Sequence, residues 1–127
     1  MIRTRFTFNP KVVAQNMDHL VVAVTQKLAF QLLEGIVNMN PVKSGRSRGN
    51  WQVTIGRAAE GEVSSVPSSA QETIDAGAAV IRTLLTPGPI YLTNNVPYII
   101  PLENGSSTQA PQGMVQLTLD RVGSQFR

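Results

Sequence analysis

The chain of 127 residues contains no cysteine and a single histidine, His19. The missing thiols exclude disulfides and thiolate metal sites. The lone imidazole falls on the polar side of a helical segment, with Asp18 beside it in sequence but turned away. A general base needs an orienting partner and a pocket, and His19 has neither in sequence. Carboxylates are also scarce, eight in all, and no two have the spacing of metal ligands or of an acid–base pair. An enzyme is therefore the least expected class, and no cofactor is expected. Long uncharged apolar runs are lacking too. The richest stretch is broken by Gln26, Lys27 and Gln31, short of the roughly 18 residues that span a bilayer. The opening Met1-Ile2-Arg3-Thr4-Arg5-Phe6 has no apolar signal core. The expectation is a soluble protein, made in the cytoplasm, with no membrane partner.

What is present fits one domain, 1–127, long enough to bury a substantial core. The net charge is +3 and the sequence pI about 9.8. The excess concentrates in Lys43, Arg46, Arg48 and Arg57, which would serve either as a solvated loop or as contacts to phosphates or partner carboxylates. Lys43-Ser44-Gly45-Arg46 is not a nucleotide-binding loop. It lacks the upstream glycine, and it follows a helix and precedes a strand, the reverse of the required order. A turn with Gly45 at positive φ and Ser44 bonded to nearby backbone is the expected form.

Asn9-Pro10 reads as a capped helix start, and Asn40-Pro41 as its end, with the helix reaching about Asn38. Val13, Met17, Leu20, Val21, Val24, Leu28 and Leu32 form a stripe at helical spacing that is assigned to the core. On the opposite side, Val22, Phe30, Leu33 and Val37 join Lys11, Gln15, His19 and Gln26. A helix apolar nearly all round is buried on two sides, so these four residues are expected to meet either another element of the domain or, the reading favoured, a neighbouring subunit. Trp51, Val53 and Ile55 alternate with Gln52 and Thr54, the pattern of a half-buried strand. Residues 57–67 carry no periodic signal. Ser69-Ala70-Gln71-Glu72 has the capping-box form and opens a second helix, stopped by Thr86-Pro87-Gly88-Pro89. Ile90–Thr93 and the Tyr98-Ile100-Leu102 alternation read as two strands, the second at a sheet edge because of Pro101. Residues 114–122 fit either a strand or a helix. The resulting class is α+β: a small antiparallel or mixed sheet packed by a long N-terminal helix, a second helix and a short C-terminal helix. Trp51 is expected to anchor the core, and Tyr91 and Tyr98 are few and not interleaved with Arg or Lys, a weak signal for base stacking.

Asn40-Pro41-Val42-Lys43-Ser44-Gly45-Arg46 with Asn50-Trp51, then Pro97-Tyr98 and Leu102-Glu103-Asn104-Gly105-Ser106-Ser107 leading to Gln109-Ala110-Pro111-Gln112-Gly113-Met114, resemble the tail completion, or head-to-tail joining, proteins of long-tailed bacteriophages. The likeness runs from Pro41 to Met114. Lys43 departs from it, because many relatives carry an acidic or small residue there. The resemblance implies a structural virion protein of the neck. Its copies would form a ring, usually a hexamer, between the head connector or head-closure protein and the tail terminator or tail tube, with DNA passing through the lumen without sequence specificity. It implies contacts between subunits through Val22, Phe30, Leu33, Val37, Arg46 and Glu103. Loops bearing Lys43, Arg46, Arg48, Arg57, Ser106, Ser107 and Gln109 would then face partners or DNA. Glu103, at an element end before a glycine turn, is expected either to accept backbone N–H groups or to pair with Arg46, within one subunit or across the ring. The alternative from another class is a small basic nucleic-acid-binding protein.

Overall fold

The computed structural model describes residues 9–105 and 113–125. Helix α1 (Pro10–Met39) starts where the Asn9 side chain accepts from the Lys11 N–H at 2.9 Å and Pro10 supplies the first helical φ. Thirty residues make a rod about 45 Å long. It ends at Asn40, which turns extended ahead of Pro41. A left-handed Gly45, φ 83°, then leads into the four-residue α2 (Arg46–Gly49). Next come β1 (Gln52–Ile55), α3 (Ala70–Ile81), β2 (Ile90–Thr93), α4 (Ile99–Glu103) and α5 (Val115–Ser124). The class is α+β, as expected.

Strands β1 and β2 pair antiparallel, with Val53 opposite Leu92 and Ile55 opposite Ile90. A two-stranded ribbon is marginal alone. Here α1 and α3 cover it, and Ala29, Leu33, Val37, Val53, Ile74 and Ile81 form the buried cluster. Trp51, Ile90 and Leu92 pack partly buried against that cluster, so Trp51 anchors the core as expected. Gly77 permits the close approach of α3, because a Cβ there would strike the side chains of Leu33 and Val53. Ser69 caps α3 by accepting from Glu72 N–H, while the Glu72 carboxylate reaches back to the N–H and hydroxyl of Ser68. The capping box is therefore present, shifted by one residue on its return arm.

The loop between α1 and β1 is held by two buried amides. Asn40 donates to Pro41 O and Ser47 Oγ and accepts from Trp51 Nε1 at 2.8 Å. Asn50, fully buried, donates to Arg46 O and accepts from Val63 N–H. Both satisfy donor and acceptor together, which is what makes burial of an amide tolerable.

Two expectations change, and one open choice is resolved. The Tyr98-Ile100-Leu102 alternation is not a strand: Leu102 N–H bonds to Tyr98 O, closing the short helix α4. Pro101 fits because the first turn of a helix leaves its N–H groups without intrahelical partners anyway. The ambiguous segment 114–122 is helical, as α5. The second change concerns the faces of α1. Leu33 and Val37 have no exposed surface and sit in the core, so they are not available to a neighbouring subunit. The stripe assigned to the core is left uncovered over its first five residues: Val13, Met17, Leu20, Val21 and Val24 are exposed, Met17 and Leu20 by 61% and 63%, whereas Leu28 and Leu32 are half-buried. On the Leu33 side, the Gln26 amide donates to Ile81 O, at the last residue of α3, and to Leu84 O just beyond it. Ile81 O also accepts from Leu84 N–H, so Gln26 adds a second donor there and ties the Leu33–Val37 face to the end of α3.

Candidate assembly surface

Helix α1 outruns the body it belongs to. Its buried residues, Ala29, Leu33, Ile36 and Val37, all lie in the C-terminal half. From Pro10 to Val21 every residue is exposed. This projecting arm carries the Val13-Met17-Leu20-Val24 stripe. An 18-residue window of α1 reaches a mean hydropathy of 1.5, enough by length and composition alone for a membrane span. Lys27 and Glu34 place charges in its second half, and its C-terminal part is committed to the core. On the same side further along, α5 covers α1: Gly35 lies against Thr118, so closely that a Cβ would meet Thr118 Cγ2, and Gln31 bonds to Gln125. The domain thus covers the C-terminal end of the face with its own helix and leaves the arm bare.

An apolar groove of about 550 Å³ opens beside that junction, between α1, β2, α4 and α5. Leu32, Ile36, Trp51, Ile90, Leu92, Ile99, Ile100, Val115 and Leu119 line it, with Thr93, Asn94 and Glu103 its polar residues. Ile100 and Leu119 on its walls are 69% and 45% exposed. Of the four residues expected to meet a neighbour, Phe30 is 37% exposed beside α3 and Val22 is half-buried. They do not lie with Leu33 and Val37 on one open patch.

The basic loop is less free than its sequence suggests. Arg46 forms a two-pronged ion pair with Glu62, at 2.8 and 2.7 Å, and its guanidinium lies 5.5 Å from the centre of the Tyr98 ring. The hydrogen bond to Glu62 raises the Arg46 pKa and holds the Glu62 carboxyl below its usual range. Arg48 turns back to donate to Ser68 O. Lys43 and Arg57 are exposed. Ser44 Oγ accepts from Arg46 N–H and Gly45 takes a positive φ, the turn expected from the sequence.

Glu103 does not pair with Arg46 in this chain. Its Oε1 accepts from Met114 N–H and Val115 N–H, both at 2.8 Å, and its Oε2 from Gln116 N–H at 3.0 Å. It caps α5 from eleven residues upstream. Partial burial pushes its pKa up, but the three backbone donors together outweigh that and leave it lowered. Gly113, φ 84°, makes room, because a Cβ there would run into the Glu103 carbonyl. The backbone-acceptor expectation holds, and the intrachain Arg46–Glu103 pair is withdrawn. Ser106, Ser107 and Gln109 lie outside the described residues.

Family models, curated proteins and solved structures give no match to this chain.

Among the described residues no three His, Asp or Glu side chains gather into a metal site. The residues that sequence reasoning missed are Glu62, the true partner of Arg46, and Ile100, which it placed in a strand. Sixteen residues and an aperiodic loop separate Arg46 from Glu62, so no spacing rule links them. Met17 and Leu20 were seen as apolar but assigned inward.

Proposed function

We propose that this protein is a structural ring component of a bacteriophage neck. Its copies assemble around a channel, usually as a hexamer, joining the head connector or head-closure protein to the tail terminator or tail tube. DNA passes through the lumen by weak, sequence-independent contacts. Two lines support the reading. One is the likeness of the Pro41–Arg46 and Pro97–Met114 segments to tail completion proteins. The other, and the observation that carries it, is the bare apolar arm of α1. A monomer that exposes Val13, Met17, Leu20, Val21 and Val24 together carries the kind of contiguous patch that marks an interaction surface. Heterologous contacts that close by rotation convert such a patch into a ring.

A nucleic-acid-binding role would draw on Lys43, Arg46, Arg48 and Arg57, and the fold engages two of these four internally. The ring reading predicts that the protein is found in purified particles, and that particles made without it accumulate as separate full heads and finished tails. Complete infectious particles lacking the protein would defeat it.

A further inference from the structure

The bare arm and the apolar groove belong to one chain but cannot meet within it. Helix α1 is one continuous rod, so the arm cannot fold back onto Leu32 and Ile36 at its own far end. The two surfaces match in chemistry. One is a convex ridge of Val13, Met17, Leu20 and Val24, the other a concave wall that includes Ile90, Leu92, Ile100 and Leu119.

Charge narrows the occupant further. Among the described residues, the one ionisable group lining the groove is Glu103, whose oxygens already accept three backbone N–H groups. No lysine or arginine among the described residues lines it, so these residues offer nothing to a phosphate backbone. The arm from Pro10 to Val24 carries Lys11 and Asp18, which cancel. An amphipathic helix that settles on an anionic membrane has instead a polar face rich in Lys and Arg. A neutral apolar ridge fits a neutral apolar groove, and the same chain supplies both.

We propose that the arm of one copy seats in the groove between β2, α4 and α5 of a second copy of this chain. The proposal rests on the ring reading above and names the surfaces that the ring uses. Arm into groove is a contact between two different patches, so each copy offers one free ridge and one free groove to the next, and closure by rotation gives a ring.

The absence of cysteine makes a clean test. Leu20→Cys and Ile100→Cys variants of the full chain are purified separately, mixed and oxidised, with Leu20→Cys plus Lys43→Cys as the control pair. All three positions are exposed, so the body folds unchanged. The expected result is a Leu20→Cys/Ile100→Cys heterodimer at several-fold the control yield. In sedimentation velocity, Leu20→Glu should weaken self-association about tenfold or more. If the wild type oligomerises but the test pair links no better than the control, the docking is wrong and the ring reading stands. Dominant linking of Leu20→Cys to itself also overturns the docking, because it means arm against arm. Binding to phosphatidylcholine–phosphatidylglycerol vesicles by a chain that stays monomeric overturns it in favour of a membrane. A monomer at every concentration with no cross-link overturns it as well, and the ring reading is then decided by the protein's presence in purified particles.

Discussion

Glu103 is the side chain whose removal has the most traceable consequence. One carboxylate accepts from three consecutive N–H groups at the start of α5, donors that the helix itself cannot satisfy. A side-chain cap at such a terminus is worth about 1 kcal/mol, a favourable dipole interaction about 0.5, and hydrogen bonds to a charged acceptor about 1.5 or more. The three terms overlap, and Glu103→Ala is expected to cost about 2–4 kcal/mol. Glu103→Gln keeps one oxygen for Met114 and Val115 but faces Gln116 N–H with an amide donor. It is expected to cost about 1–2 kcal/mol. At this chain length each kcal/mol lowers the melting temperature by about 4 °C, so the two variants should melt roughly 10 and 6 °C below wild type. Circular dichroism and Trp51 fluorescence follow the transition. The pKa of Glu103 is lowered in the fold. Its ionised form therefore contributes stability that is complete above the unfolded glutamate value, near 4.3, and is lost as pH falls through the lower folded value. The gap between wild type and Glu103→Gln should be constant from pH 7 to 5 and narrow below about 4. Two variants that melt within a degree of wild type, or a gap that ignores pH, would refute the capping argument.

Other substitutions probe the rest of the fold. Leu33→Ala should cost about 2–5 kcal/mol by chemical denaturation, whereas Leu20→Ala, measured on dilute protein, should stay within about 0.5; the opposite order would restore the face assignment made from sequence. Gly77→Val forces side-chain atoms onto Leu33 and Val53 and should destabilise by about 1–3 kcal/mol, or prevent folding. Asn50→Ala leaves Arg46 O and Val63 N–H without their partner and should cost about 2–3 kcal/mol, with faster proteolysis in the 57–67 loop.

Local rules found the element starts because local atoms decide them. Asn9, Ser69 and Gly45 do in the structure what their chemistry predicts. Alternation located β1 for the same reason. It failed at Tyr98-Ile100-Leu102 because five residues sample two periods equally well, and the choice fell to Leu102 N–H finding Tyr98 O. The faces of α1 were not legible from periodicity, since the helix is apolar on both sides. The inward side is the one that packs on Val53, Ile74 and Ile81 and sends Gln26 to Ile81 O and Leu84 O, contacts some 55 residues away in sequence for Gln26. The same limit hid Glu62. Glu103 was half legible: its position before a glycine turn suggested backbone acceptance, while pairing with Arg46 was the guess that distance removed.

A peptide with the arm's length would be barely helical in water, because a helix that short cannot repay its own nucleation. Here nucleation is settled further down the same rod, where Leu33 and Val37 are clamped, and the free end inherits a shape already set. Whatever receives it spends little entropy on straightening it. A pull on the tip is delivered straight to the core, so the arm behaves like a dowel rather than a tether.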